Sequence, residues 1–134
     1  MKYFNIVPAF ALLISFMLFT NCSKEKFKTY EFQIYVDSIV LADTIQAGDT
    51  LEIEFFGTIG TNGCVSFERF DTVFSQNSVF IKAIGKSSGA GVCPTIMVYL
   101  DGTILKIVNL TEGEFTIKVS QPDDTELVET VVVE

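Results

Sequence analysis

The chain has 134 residues, which suits a single domain, and it has a formal net charge of −8 and no histidine. The acidic charge argues against binding to the phosphate backbone of a nucleic acid. The absence of histidine excludes Ser-His-Asp and Cys-His catalysis as well as histidine metal sites, because each of these needs an imidazole.

The first element in chain order is an apolar run at the N-terminus. Residues 6–19 contain one polar side chain, Ser15, and follow a single positive charge at Lys2. A run of this length matches the apolar core of a secretory signal peptide and is shorter than the roughly 20 residues of a membrane-spanning helix. We therefore interpret residues 1–21 as a signal peptide. A leader without lipid attachment and a retained membrane helix are the alternatives.

The end of this segment, Leu18-Phe19-Thr20-Asn21-Cys22, resembles the lipobox of bacterial lipoproteins, in the looser form found in Bacteroidota. The resemblance implies that Cys22 receives the lipid and becomes the mature N-terminus. Several acyl chains on one residue hold a protein firmly to a membrane, whereas one chain binds only marginally. The resemblance thus implies a protein of the cell envelope, anchored to the outer membrane by the lipid on Cys22. It would face the periplasm or the cell surface, with residues 22–29 as a lipidated tether.

Two cysteines remain, Cys64 and Cys93, and an even pair in an oxidising compartment indicates a disulfide. The bond would close a loop of about 30 residues and stabilise the domain by roughly 3–4 kcal/mol, by restricting the unfolded chain. A zinc site is the weaker interpretation, because two thiolates without histidine do not complete a tetrahedral set of ligands.

The rest of the chain, residues 30–134, alternates apolar and polar side chains with the period of β-strands and shows no convincing helical pattern. The Asp101-Gly102 dipeptide between two such runs is a strong signal for a two-residue hairpin. Seven or eight short strands separated by turns predict an all-β fold, an antiparallel immunoglobulin-like β-sandwich, with a small barrel as the alternative. The predicted strands are Tyr30–Asp37, Thr50–Thr58, Val65–Phe70, Ser78–Ile84, Thr95–Leu100, Thr103–Val108, Glu114–Val119 and Glu126–Val133.

Three motifs of the domain carry a second resemblance. They are Gly63-Cys64-Val65-Ser66-Phe67, Val92-Cys93-Pro94 and the alternating strand Leu110–Val119. In this order they resemble a widespread group of secreted bacterial immunoglobulin-like β-sandwich domains of uncharacterised function. The resemblance covers residues 45–120 and implies an exported, disulfide-linked domain. It implies no catalytic residue, metal or cofactor.

Carboxylates are the remaining candidates for chemistry. Glu52, Glu54, Glu68 and Asp71 supply the groups that a two-acid glycosidase needs. However, Glu52 and Glu54 alternate with apolar residues, as on a solvated sheet face. The acidic turn at residues 123–126 offers oxygen ligands for calcium without the spacing of a calcium loop. We therefore expect no catalytic residue, no metal and no cofactor.

Four tripeptides resemble the O-glycosylation acceptor of Bacteroidota, an Asp followed by Ser or Thr and an apolar residue. Their candidate acceptors are Ser38, Thr44, Thr50 and Thr72. Phenylalanines are a further lead: Phe70 and Phe74 would form a binding patch if exposed, although a place in the core is favoured.

The function expected from these features is a non-catalytic, lipid-anchored envelope module that binds an unknown protein or a glycan. A passive structural envelope lipoprotein and a carboxylate-dependent hydrolase are the alternatives. A nucleic-acid ligand is not expected.

Overall fold

A computed structural model describes residues 28–89 and 91–134. The predicted signal peptide, the predicted lipidation site Cys22 and most of the predicted tether lie outside the described residues. Within them the chain is all-β, and it contains no helix long and apolar enough to cross a membrane. The strands are β1 (Tyr30–Gln33), β2 (Tyr35–Val40), β3 (Thr44–Ile45), β4 (Leu51–Gly60), β5 (Val65–Ser75), β6 (Ser78–Ser87), β7 (Val98–Ile107), β8 (Gly113–Ser120) and β9 (Glu126–Val133).

The strands form one large sheet and one small sheet. In the large sheet β5, β6, β8, β9 and β3 lie side by side, and β1 pairs with the second half of β6. In the small sheet β4 lies between β2 and β7, and both pairings are antiparallel. The large sheet also contains two parallel pairings, β6 with β8 and β3 with β9. The predicted antiparallel arrangement therefore holds for the small sheet but not for the whole of the large one.

Both sheets contribute to one hydrophobic core. In β4 the alternation places Leu51, Ile53 and Phe55 inward with no exposed surface, as predicted. In β8 Ile117 and Val119 are equally buried, and they belong to the same cluster as the β4 residues. Burial of these apolar side chains between the sheets is the main driving force for the fold.

The predicted strand Tyr30–Asp37 is divided between the two sheets. Its first part, β1, pairs with β6, and its second part, β2, pairs with β4. The change occurs at the buried Ile34, whose backbone N–H donates to the carbonyl of Ala83 at 2.8 Å. The sequence pattern stays continuous through this point because the inward positions line the same core in both sheets.

The prediction of a hairpin at Asp101-Gly102 is wrong, because β7 runs through this dipeptide without turning. Asp101 lies opposite Phe56 and Thr103 lies opposite Phe55, so Gly102 has no partner residue and forms a β-bulge. The φ angle of Gly102 is +71°, a conformation that favours glycine. A two-residue hairpin turn of this kind needs positive φ at both residues, whereas here only Gly102 has it, and it lies in a bulge.

The β5–β6 hairpin is longer than its sequence pattern predicted. β5 continues through Ser75 and β6 continues through Ser87, and residues 76–77 form the turn between them. β5 pairs only with β6, so it forms one edge of the large sheet.

The predicted disulfide between Cys64 and Cys93 is present, with their Cα atoms 5.4 Å apart. It joins the β4–β5 loop to the β6–β7 loop at one end of the domain. The N–H of Gly63 donates to the carbonyl of Pro94 at 2.8 Å, and the N–H of Ser88 donates to the carbonyl of Cys64 at 2.9 Å. Backbone hydrogen bonds and a covalent bond therefore hold the loops at this end together.

Candidate functional site

The carboxylates considered for hydrolysis lie on different sheets. Glu52 and Glu54 belong to β4 of the small sheet, whereas Glu68 and Asp71 belong to β5 of the large sheet. Three of them contact cations: Glu52 contacts Lys106 at 2.6 Å, Glu68 contacts Lys86 at 3.5 Å, and Asp71 contacts Arg69 at 2.8 Å. The four acids therefore do not form one cluster.

Glu52 and Glu54 do share an open groove of about 480 Å³ at the end of the small sheet. Its other lining residues include Val40, Leu41 and Ile45. The two carboxylates are two residues apart on the outer side of β4. The Glu52 carboxylate forms an ion pair with Lys106. This arrangement is that of a solvated sheet face with a cross-strand ion pair.

In the acidic turn between β8 and β9, the first carboxylate is hydrogen-bonded within the turn. Asp123 accepts hydrogen bonds from the backbone N–H of Thr125 at 3.2 Å and from its hydroxyl at 2.6 Å. These bonds lower the pKa of Asp123, the hydroxyl contributing most. Among the described residues, no group of three or more Cys, Asp or Glu is arranged to hold a metal ion.

The candidate glycosylation residues lie apart from one another. Ser38 is exposed on β2, Thr44 is exposed on β3, and Thr50 is exposed just before β4. Thr72 is half-buried on the edge strand β5. Three of the four side chains thus have access to solvent in the folded domain.

The two phenylalanines considered as a patch have different environments. The ring of Phe70 lies 4.4 Å from that of Phe55 and 4.7 Å from that of Phe67, so it packs beside the core. Phe74 is 57% exposed, beside the exposed Val73 on β5. The predicted pair therefore does not form one exposed cluster.

The outer surface of the small sheet presents a different aromatic group, which the sequence analysis did not single out. Tyr35 of β2 and Tyr99 of β7 both lie in register with Thr58 of the central strand β4. Their neighbours along each strand point inward, so both rings point outward, and they are 47% and 56% exposed. We call this surface the tyrosine face, defined by Tyr35, Ser38, Phe56, Thr58, Tyr99 and Asp101.

Phe56 lies in the next row of the tyrosine face, between two β-bulges. On one side Ser38 of β2 is its partner, and the register shifts between Val36 and Ser38. On the other side Asp101 of β7 is its partner, next to the bulge at Gly102. Bulges redirect side chains and occur often beside functional sites. Here they place a hydroxyl and a carboxylate on either side of a half-buried aromatic ring.

The charge of this sheet surface is negative. Its outward side chains include Asp101, Glu52 and Glu54, and the single cation among those that the structure describes is Lys106, already paired with Glu52. The surface therefore combines aromatic rings with hydrogen-bond acceptors and repels anionic ligands.

The alternation pattern alone could have placed each tyrosine outward, since Tyr35 lies between Ile34 and Val36. It could not place the two tyrosines in one row, because that depends on the register of β2 and β7 against β4. No protein-family model, no curated protein and no solved structure matches the chain. The candidate site is therefore inferred from the residues of the tyrosine face alone.

Proposed function

We propose that this chain is a lipid-anchored protein of the bacterial cell envelope whose domain binds a partner without catalysing a reaction. Cys22 would be the lipidated N-terminus and residues 22–29 the tether. The domain would be an immunoglobulin-like β-sandwich, a reading supported by two sheets around a single core.

The export part of the proposal draws support from the use of cysteine. The Cys64–Cys93 disulfide leaves Cys22 as the third cysteine of the chain. Disulfides persist in oxidising compartments and are rare in the cytosol. A disulfide-linked domain that follows a lipobox-like segment therefore fits an exported lipoprotein.

The observation that carries the binding part is the row formed by Tyr35, Thr58 and Tyr99. Tyrosine is enriched at recognition surfaces because it offers a large rigid ring together with a polar hydroxyl. Two half-exposed tyrosines in one row are a feature that a passive spacer does not need. The hydrolase alternative finds less support, because the acids considered for it lie on two sheets and three of them contact cations.

Intact mass spectrometry of the protein from envelope fractions tests the anchor. The expected mass is that of residues 22–134 plus acyl groups, and reduction should add the mass of two hydrogen atoms. A Cys22→Ala variant should lose the acyl groups. A wild-type chain without acyl groups would contradict the lipoprotein proposal.

Cross-linking in the envelope tests the binding. A photoreactive residue at position 99 should capture a protein or glycan, whereas the same residue at position 30, on the large sheet, should not. Equal capture at both positions would favour the passive structural alternative.

A further inference from the structure

We propose that the tyrosine face binds a neutral, extended β-linked glycan of the cellulose or chitin type, which crosses the three strands of the small sheet. This inference rests on the proposed binding function and adds the site and the chemical class of the ligand. It would make the protein a glycan-binding module of the envelope.

The spacing of the two tyrosines is the first support. Both are register partners of Thr58, so two strand spacings of about 4.8 Å place their Cα atoms about 10 Å apart. In an extended β-linked glycan each sugar is flipped relative to the next, so every second sugar presents the same face. The repeat is one disaccharide, whose length is close to this separation. Tyr35 and Tyr99 would therefore stack on two sugars, with the intervening sugar above Thr58.

The chemistry around the rings is the second support. A sugar ring has an apolar C–H face and a rim of hydroxyl groups, so an aromatic surface with hydrogen-bond acceptors beside it matches both parts of the sugar. Thr58 provides a hydroxyl between the two tyrosines, and Ser38 and Asp101 provide further oxygens in the neighbouring row. A carboxylate accepts hydrogen bonds from two adjacent hydroxyls, as the Asp101 side chain would here.

Charge restricts the glycan to neutral types. The outward carboxylates of Asp101 and Glu54 would repel sulfated or uronic-acid chains, and the Lys106 ammonium group is paired with Glu52. A protein partner would need cations to pair with these carboxylates on burial, because an unpaired buried charge is costly. A neutral sugar satisfies them through its hydroxyls.

Calorimetric titration with cellohexaose, chitohexaose, mannohexaose and xylohexaose tests the proposal, using the full chain purified in detergent. At least one hexasaccharide should bind. Tyr35→Ala and Tyr99→Ala should each weaken that binding about tenfold, because each removes a stacking ring. Tyr35→Phe should retain most of the affinity, since the ring remains.

Tyr30→Ala is the matched control, because Tyr30 is 58% exposed but lies on β1 of the large sheet. It should leave the affinity unchanged. Absence of binding to all four hexasaccharides, or binding that Tyr35→Ala does not weaken, would overturn the glycan proposal. If none of the four hexasaccharides binds but the cross-linker at position 99 captures a protein, the proposed binding function still holds. If no hexasaccharide binds and the cross-linker captures nothing, the proposed binding function is contradicted as well.

Discussion

Gln121 and Val36 form a pair of hydrogen bonds across the domain, although they are 85 residues apart in sequence. The N–H of Val36 donates to Oε1 of Gln121 at 3.0 Å, and Nε2 of Gln121 donates to the carbonyl of Val36 at 2.7 Å. Gln121 is 5% exposed and lies between β8 and β9, whereas Val36 lies in the edge strand β2. A side-chain amide thus serves as the outer partner of an otherwise unpaired strand edge.

Gln121→Leu should lower the free energy of unfolding by about 2–6 kcal/mol. It would leave a buried N–H and a buried carbonyl of Val36 without partners, each at a cost of about 1–3 kcal/mol. Urea unfolding measures the loss. The control is Gln76→Leu in the exposed β5–β6 turn, which should change stability by less than about 0.5 kcal/mol. Similar losses in the two variants would contradict the role of the amide pair.

Gly102→Ala should destabilise the domain by about 1–2 kcal/mol, the cost of left-handed backbone for a residue with a Cβ. Space is sufficient, because the nearest atom to an added Cβ is Cζ of Phe56 at 3.8 Å. Gly102→Asn should cost less, since Asn tolerates this conformation. Thermal unfolding of the variants would show this order, and an Asn variant less stable than the Ala variant would contradict it.

Gly57→Ala should be destabilising for a different reason. An added Cβ at Gly57 would lie 2.5 Å from the carbonyl oxygen of Tyr35 and 3.2 Å from Cα of Val36, so β2 would have to move away from β4. The expected loss is about 1–3 kcal/mol, typical of overpacking. In contrast to position 102, Asn should be worse than Ala, because the obstacle is space. A milder Asn variant at position 57 would disprove the steric explanation.

The alternation of side chains predicted most of the strands because burial on one face imposes a period of two. Leu51, Ile53 and Phe55 are buried for this reason, and Glu114–Val119 lies within β8 as predicted. The same alternation could not reveal β3, a two-residue strand held by a parallel pairing with β9. A strand of that length has too few side chains to show a period.

The alternation of side chains could not predict which strands pair with each other. The dipeptide Asp101-Gly102 predicts positive φ, but hairpins and bulges both use that conformation. Only the pairing of β7 with β4 decides between them. The tyrosine face depends on the same information, since Tyr35 and Tyr99 are 64 positions apart and meet through Thr58. The disulfide was predictable because just two cysteines remain beside Cys22, the cysteine of the lipobox-like segment.

Replacement of both Cys64 and Cys93 by serine should lower the free energy of unfolding by about 3–4 kcal/mol, because the bond closes a loop of about 30 residues in the unfolded chain. Guanidinium unfolding with and without reductant measures the change. Reductant should destabilise the wild type by a similar amount and leave the double variant unchanged. A loss below about 1 kcal/mol would show that the loops are held by the Gly63–Pro94 and Ser88–Cys64 hydrogen bonds instead.

Arg69→Met should raise the pKa of Glu31 towards its ordinary value. The Arg69 guanidinium donates two hydrogen bonds to this carboxylate, at 2.8 and 3.0 Å, and these lower its pKa. The ion pair therefore favours the folded state above the ordinary pKa of a glutamate, and its contribution is lost as pH falls through the lowered pKa. Carbon NMR of the Glu31 carboxyl group during an acid titration measures the shift. Lys118→Met is the control, because it also removes one positive charge from the protein. The ammonium group of Lys118 lies over the Phe80 ring. An equal shift in both variants would mean that net charge, and not the Arg69 contact, sets the pKa of Glu31.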